Sequence, residues 1–179
     1  MGWRNNPVQF GWVSRAIHWA MALLILAMLA LGTTLSNMQP GLSNLYLYGW
    51  HKTGGMIALG LVLLRLIWHR ISPPPAALGP PKAWANRVAR WVHAATYVLL
   101  VAIPLSGWVA SSATGIDILF AERWTVPPIA PPSESIDHWG FVLHGVLTKA
   151  LMGLLVLHVL GALARAVKGD GTLRRMTTG

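Results

Sequence analysis

The chain has 179 residues, 54% of them hydrophobic and only 11% charged, against roughly 25% charged in an ordinary soluble domain, so a water-soluble core is excluded and lipid is the expected solvent. The formal charge of +9 would suggest nucleic acid in a soluble protein, but here the basic residues flank apolar runs instead of forming a patch with interleaved aromatics, so no nucleic-acid partner is expected and the positive-inside rule accounts for them. Cysteine is absent, which excludes disulfides, zinc ribbons and thiolate-held iron–sulfur clusters and leaves histidine as the main available metal ligand.

A hydrocarbon core about 30 Å thick takes about 20 helical residues to cross. Four stretches have that length: 13–35, 49–68, 91–111 and 139–167. The first is too long for the apolar region of a cleavable signal peptide, and no small-residue cleavage site stands out before Gly41. The second is followed by the connector Ser72-Pro73-Pro74-Pro75 and Gly79-Pro80-Pro81. The third contains Pro104, which is expected to kink it where neighbours satisfy the freed carbonyl. After it comes a long segment bounded by Pro127-Pro128 and Pro131-Pro132, in which 116–124 reads as a short amphipathic helix on the membrane surface. The fourth stretch is longer than needed and is expected to tilt or to extend into water. The expected fold is all-α, a single four-helix integral membrane bundle over 1–179.

Orientation follows from charge. Arg4, Arg15, Arg65, Arg70, Lys82, Arg87, Arg90, Arg165, Lys168, Arg174 and Arg175 fall on one side, with Asp170 as the sole acid there. Lys52, Arg123 and Lys149 share the other with Asp117, Glu122, Glu134 and Asp137. Both termini are therefore expected to be cytoplasmic. Trp12, Trp50, Trp68, Trp108 and Trp139 stand near the span boundaries, as an aromatic belt does.

Ionisable groups inside spans are costly enough to raise a functional hypothesis. His144 and His158 are fourteen residues apart, which returns them to nearly one face of a helix and separates them by roughly 21 Å along its axis. One imidazole near each membrane surface suits two stacked haems, each needing a second ligand from another helix at matching depth. At the outer level His51 is the candidate; at the inner level both His18 and His93 qualify. Two neutral imidazoles fill both axial positions of a low-spin iron and suit electron transfer. Arg65, fourteen residues after His51, shares that residue's face at the inner level, within reach of a haem propionate or a quinone headgroup. For His69 and His138, at the boundaries, interfacial solvation is the better account. Lys149 either snorkels outward or meets a propionate or an anionic substrate. Gly54, Gly55, Gly107, Gly153 and Gly161 lie on spans, where a missing side chain admits a flat cofactor or a neighbouring helix.

The stretches Arg15-Ala16-Ile17-His18-Trp19, Trp50-His51-Lys52-Thr53-Gly54-Gly55, and Ala89-Arg90-Trp91-Val92-His93 with Ala102-Ile103-Pro104-Leu105-Ser106-Gly107, together with the His144 and His158 pair, cover nearly the whole chain. In this order they resemble the bacterial cytochrome b561 family, and more distantly the cytochrome b subunits of membrane hydrogenases and formate dehydrogenases. The resemblance implies an inner-membrane protein with two b-type haems, pairing His51 with His144 and His18 with His158 as iron ligands. It also implies chemistry with ubiquinone or another quinone near the inner haem, where His93, Arg90, Lys82 and Arg65 are candidates. Some small members resemble superoxide:ubiquinone oxidoreductases; others serve as carriers for an outer-face electron-donor protein. A membrane-anchoring subunit of a larger dehydrogenase or hydrogenase is the alternative.

Overall fold

Four long helices dominate the computed structural model, which describes residues 2–79 and 83–178. They are α1 (Trp12–Ser36), α2 (Leu45–Ile71), α3 (Trp84–Ala113) and α4 (Glu134–Val167), followed by a short α5 (Thr172–Thr177). Each of the four is long and apolar enough to cross a membrane. At 1.5 Å per residue the 34 residues of α4 span about 51 Å, far more than a hydrocarbon core. Its first turns therefore stand in water or headgroups, where Glu134 and Asp137 complement the helix dipole and the Ser133 hydroxyl accepts from the Ile136 amide at 3.4 Å.

The bundle is turned out toward lipid. Leu23, Leu26, Ile67, Val98, Val146, Val156 and Leu160 are all exposed, which would favour aggregation in water and suits a bilayer. The small dry core includes Met21, Ala58, Val62 and Leu151. Leu151 lies midway along α4 between His144 and His158, and Ala58 midway along α2 between His51 and Arg65, so this apolar layer separates two polar levels.

Helices approach closely where glycine allows it. A Cβ on Gly140 of α4 would meet the Cβ of Ala110 of α3 at 2.8 Å, so these two helices pack almost backbone to backbone. Gly54 of α2 makes a similarly tight approach to Met28 of α1. Pro104 lies within α3 without ending it.

One end of the bundle is stitched together by the chain's two termini and the α2–α3 connector. Asn5 receives a hydrogen bond from the Gly11 amide at 2.9 Å, donates its own backbone amide to the Ser72 hydroxyl at 2.8 Å, and donates its side-chain amide to the Ser72 carbonyl at 2.8 Å. From α1, Arg15 donates to the Thr177 carbonyl at 3.0 Å and Trp19 to that of Met176 at 2.9 Å. Arg175 reaches the Ala76 carbonyl at 3.0 Å. This is the basic end of the molecule.

The other end carries a β-hairpin where the sequence suggested a surface helix over 116–124. Strand β1 (Ile118–Phe120) pairs antiparallel with β2 (Trp124–Val126), with Ile118 opposite Val126 and Phe120 opposite Trp124. β-Branched and aromatic residues on facing positions favour a ladder over a lone turn of helix. The turn between the strands holds Ala121 at φ 51° and Glu122 at φ 58°. Neither is glycine, and left-handed backbone costs such residues roughly 1–2 kcal/mol each. An anchor on the bundle offsets part of that: the Ala121 amide donates to the Thr53 hydroxyl at 3.0 Å, fixing the hairpin over the end of α2 two residues from His51.

Candidate functional site

Five of the seven histidines meet at two levels of the bundle. At the hairpin end, His51 of α2 faces His144 of α4 with ring centroids 6.2 Å apart. At the basic end, His18 of α1 faces His158 of α4 at 6.3 Å. A metal–imidazole bond is about 2 Å and the bonding nitrogen lies ~1.1 Å from its ring centre, so two imidazoles on opposite sides of one metal ion have centroids about 6.3 Å apart. Both separations meet that requirement. His93 of α3 is closer to His158, at 5.2 Å, too short for the two to share one iron from opposite sides.

The hairpin-end pair is the more completely built. His144 donates from Nδ1 to the Ile103 carbonyl at 2.9 Å, next to Pro104 where the helical ladder is interrupted, and Ser106 lies 3.2 Å from the same nitrogen. That bond puts the proton on Nδ1 and leaves the Nε2 lone pair for a metal, an arrangement that metal-binding histidines commonly adopt. Each ring is backed by a glycine of the neighbouring helix. A Cβ on Gly107 would stand 3.1 Å from Cε1 and Nδ1 of His144, and one on Gly32 would stand 2.9 Å from Cε1 of His51. Nδ1 of His51 is buried and has no hydrogen-bond partner, so the two rings are held unequally. Lys52 and Thr53 follow directly, with Thr53 engaged by the hairpin turn.

At the basic end Arg65 of α2 dominates. Its Nη1 lies 3.0 Å from Nδ1 of His18, while its buried Nε has no partner. Arginine can only donate, so in this contact His18 accepts at Nδ1 and carries its proton on Nε2. Ligation through Nε2 of a neutral His18 and this contact exclude one another; Arg65 would then need another acceptor. The donor set fits a haem on that condition, because a propionate is such an acceptor and the unpaired Nε calls for an anion. Tyr97 and His69 adjoin this level: the Tyr97 hydroxyl is 3.5 Å from Nδ1 of His69, and the Arg65 guanidinium sits 5.7 Å from the Tyr97 ring centre. Thr96 adds a buried hydroxyl without a partner.

Of the remaining sequence candidates, Arg90 is exposed on α3 and is not joined to this cluster. Lys82 lies outside the described residues. His138 is exposed at the start of α4, in keeping with solvation. Of the glycines, Gly107 serves the site, Gly54 serves helix packing, and Gly55, Gly153 and Gly161 have nothing within 4 Å of an added Cβ. Sequence reasoning missed Gly32, Tyr97 and the Ile103 carbonyl. Tyr97 was findable: it follows His93 by four residues, as His69 follows Arg65, so both pairs share a helix face.

A profile of the prokaryotic cytochrome b561 family matches residues 9–179. The chain is 31% identical to "Cytochrome b561 homolog 2" of Escherichia coli (strain K12) over 184 aligned residues, covering 98% of this chain and 95% of that one. It is 27% identical to "Cytochrome b561 homolog 1" of the same organism over 163 residues, covering 89% and 92%. With its four apolar helices, the chain is a multi-pass membrane protein that belongs to the prokaryotic cytochrome b561 family, a family of transmembrane b-type haem electron-transfer proteins.

Proposed function

We propose that the chain carries electrons across a bacterial inner membrane through two b haems, linking a donor at the hairpin end to a quinone at the basic end. The observation that supports this reading is the pair of imidazole separations, 6.2 and 6.3 Å, at two levels of one bundle. A bound haem supplies reversible one-electron chemistry. The chain's own residues hold and tune it: His51 and His144 at one level, His18 and His158 at the other. The Ile103 carbonyl fixes the tautomer of His144, and Arg65 takes a propionate.

At the basic end, His93 lies beside His158 and is an exposed residue of α3. A quinone arriving through the bilayer meets His93 first, and an imidazole N–H there donates to a quinone carbonyl. Arg90, in the first turns of α3, draws negative charge toward this end, and Lys82 adds a positive charge just before that helix in the sequence. Ubiquinone or another quinone fits this description. By the positive-inside rule the basic end, with both termini, is cytoplasmic.

The donor end has a different field. Lys52 and Arg123 are outnumbered by Asp117, Glu122, Glu134 and Asp137, and Lys149 lies too deep in α4 to add to them. Acidic surroundings repel a small anion and favour a neutral or cationic donor. An electron-donor protein therefore fits better than superoxide, the narrower reading, which rests on Lys52 beside His51 and on Lys149 five residues after His144.

The test is haem stoichiometry with ligand variants. Two haems per chain are expected by pyridine haemochrome. His51→Ala or His144→Ala should leave one, as should His18→Ala or His158→Ala. One haem in the parent chain sinks the two-site reading. Loss of the second haem in His93→Ala but not in His18→Ala sinks the pairing.

A further inference from the structure

Between the carboxylates of its first turn and Arg165 near its end, α4 carries one lysine or arginine, Lys149. His144 precedes it by five residues and His158 follows by nine, so at 1.5 Å per residue Lys149 lies about 3 Å from the level midway between the two imidazole layers. The apolar stretch 139–167 has its middle at residue 153, about 6 Å further along the axis than Lys149, so Lys149 still lies inside the hydrocarbon. With about 15 Å of hydrocarbon on either side of that middle, a lysine reaching ~6 Å ends short of the interface. Snorkelling, one of the two roles the sequence suggested, is thus out of reach. The side chain stands exposed on the outside of the bundle and has no hydrogen-bond or ion-pair partner among the described residues. An amino group in hydrocarbon is costly, and its usual remedy is a polar partner within the membrane.

The glycines supply a second, independent observation. Gly32, Gly107 and Gly140 each face a neighbour that a Cβ would strike, and so serve the bundle. Gly145 and Gly153, one turn on either side of Lys149, have nothing within 4 Å of an added Cβ. Among the described residues, neither is needed to make room for a neighbour. On the same side of the helix, Val146 and Val156 are exposed. Glycines one turn above and below Lys149 leave room on this face for a second helix to approach it.

We propose that this face of α4 docks a transmembrane helix of a different polypeptide, one that brings a carboxylate to mid-depth against Lys149 while its backbone lies over Gly145 and Gly153. Charge complementarity selects the occupant. The five acidic residues of this chain, Asp117, Glu122, Glu134, Asp137 and Asp170, all lie outside the apolar parts of the spans, so a second copy brings no carboxylate to this level. Two-fold pairing through this face would set Lys149 against Lys149. Lipid phosphates lie beyond the hydrocarbon. The inference depends neither on the number of haems nor on the direction of electron flow.

The test places a photo-cross-linking residue at Val146 of the full chain in its native membrane, with haem-to-protein ratio as the check of folding. The expected adduct is to an apolar segment of another polypeptide, with Asp or Glu near its middle in the cross-linked peptide. Lys149→Leu should cut its yield about tenfold while Lys149→Arg retains it. The same photo-reactive residue at Leu26, on the exposed side of α1, should give no such adduct. If Lys149→Leu lowers the haem ratio, Gly153→Leu serves instead, since that position touches nothing in the bundle, and it too should cut the yield. An adduct to a second copy, to lipid alone or to a segment without a carboxylate overturns the proposal. So does an undiminished yield in Lys149→Leu or Gly153→Leu when that variant keeps its haem.

Discussion

The sharpest consequence of the hairpin-end geometry concerns Gly107. A methyl group there would lie 3.1 Å from both Cε1 and Nδ1 of His144, tighter than ordinary contact by a few tenths of an ångström. The ring cannot simply yield, because its Nδ1 is tied to Ile103 at 2.9 Å on the same helix, one turn before Gly107. Metal–ligand distances tolerate only about ±0.2 Å, so a shift of that size is felt at the metal. Disturbing the groups that orient a metal-binding histidine costs about 10–100-fold in metal affinity. Helix propensity works the other way, since Gly→Ala within a helix gains roughly 0.5–1 kcal/mol. Gly107→Ala should therefore give a chain at least as stable without haem, yet deficient in one of two haems, and Gly107→Leu should lose that haem entirely. Pyridine haemochrome with a reduced-minus-oxidised spectrum reads the ratio. Gly145→Ala, with nothing to strike, is the control and should keep full content. Two haems with unchanged spectrum and potential in Gly107→Leu would show that His144 is not held against α3 as a ligand.

Two further outcomes follow from the charges. Arg65→Gln should keep both haems but lower the midpoint potential of the one at the basic end. A unit charge about 7 Å from a redox centre, at an effective dielectric of about 20, is worth ~2 kcal/mol, or roughly 90 mV for one electron; Arg65→Lys should restore most of it, and an unchanged potential in Arg65→Gln removes Arg65 from that site. Alkaline phosphatase fused after Gly179 should be inactive and the same reporter inserted at Pro128 active; the reverse pattern would exchange the donor and quinone ends.

The four spans were legible because lipid imposes a length on any helix that crosses it. Their ends were not: α3 starts at Trp84 and α4 at Glu134, several residues before the apolar stretches at 91 and 139. Hydropathy registers only the part in hydrocarbon, whereas backbone hydrogen bonds carry a helix on into the interface. The two levels of histidine were legible from the fourteen-residue steps between His144 and His158 and between His51 and Arg65, which fix depth and face together. What lies across from each ring was not, because it depends on how neighbouring helices are rotated: Gly32 behind His51 and the Ile103 carbonyl at His144 leave no periodic mark. Inner-level spacing also left His18 and His93 equivalent; the resemblance pairs His18 with His158, and the ring separations from His158 are 6.3 Å for His18 and 5.2 Å for His93. The hairpin was misread because Asp117, Glu122 and Arg123 interrupt the apolar residues much as the polar side of a short helix would, while the facing pairs Ile118–Val126 and Phe120–Trp124 declare themselves only once the chain has turned back.

The two levels differ in a way that bears on their roles. At the hairpin end, His144 is bonded to Ile103, Thr53 holds the hairpin and glycines press both rings into place, while Nδ1 of His51 is left buried without a partner. The left-handed turn at Ala121 and Glu122 is anchored on α2 through the Thr53 hydroxyl, a closed arrangement that suits outer-sphere electron exchange without bond making. At the basic end, Arg65 Nε and the Thr96 hydroxyl are buried without partners, Tyr97 and His69 stand close by, and His93 is an exposed residue of α3. Unpaired donors near an exposed histidine are what a substrate with carbonyl oxygens requires, and Tyr97 and His69 add hydroxyl and imidazole groups able to pass protons toward the basic end. Under the proposed function, proton-coupled chemistry is assigned to the basic end, where several donors surround Arg65, and simple electron exchange to the hairpin end.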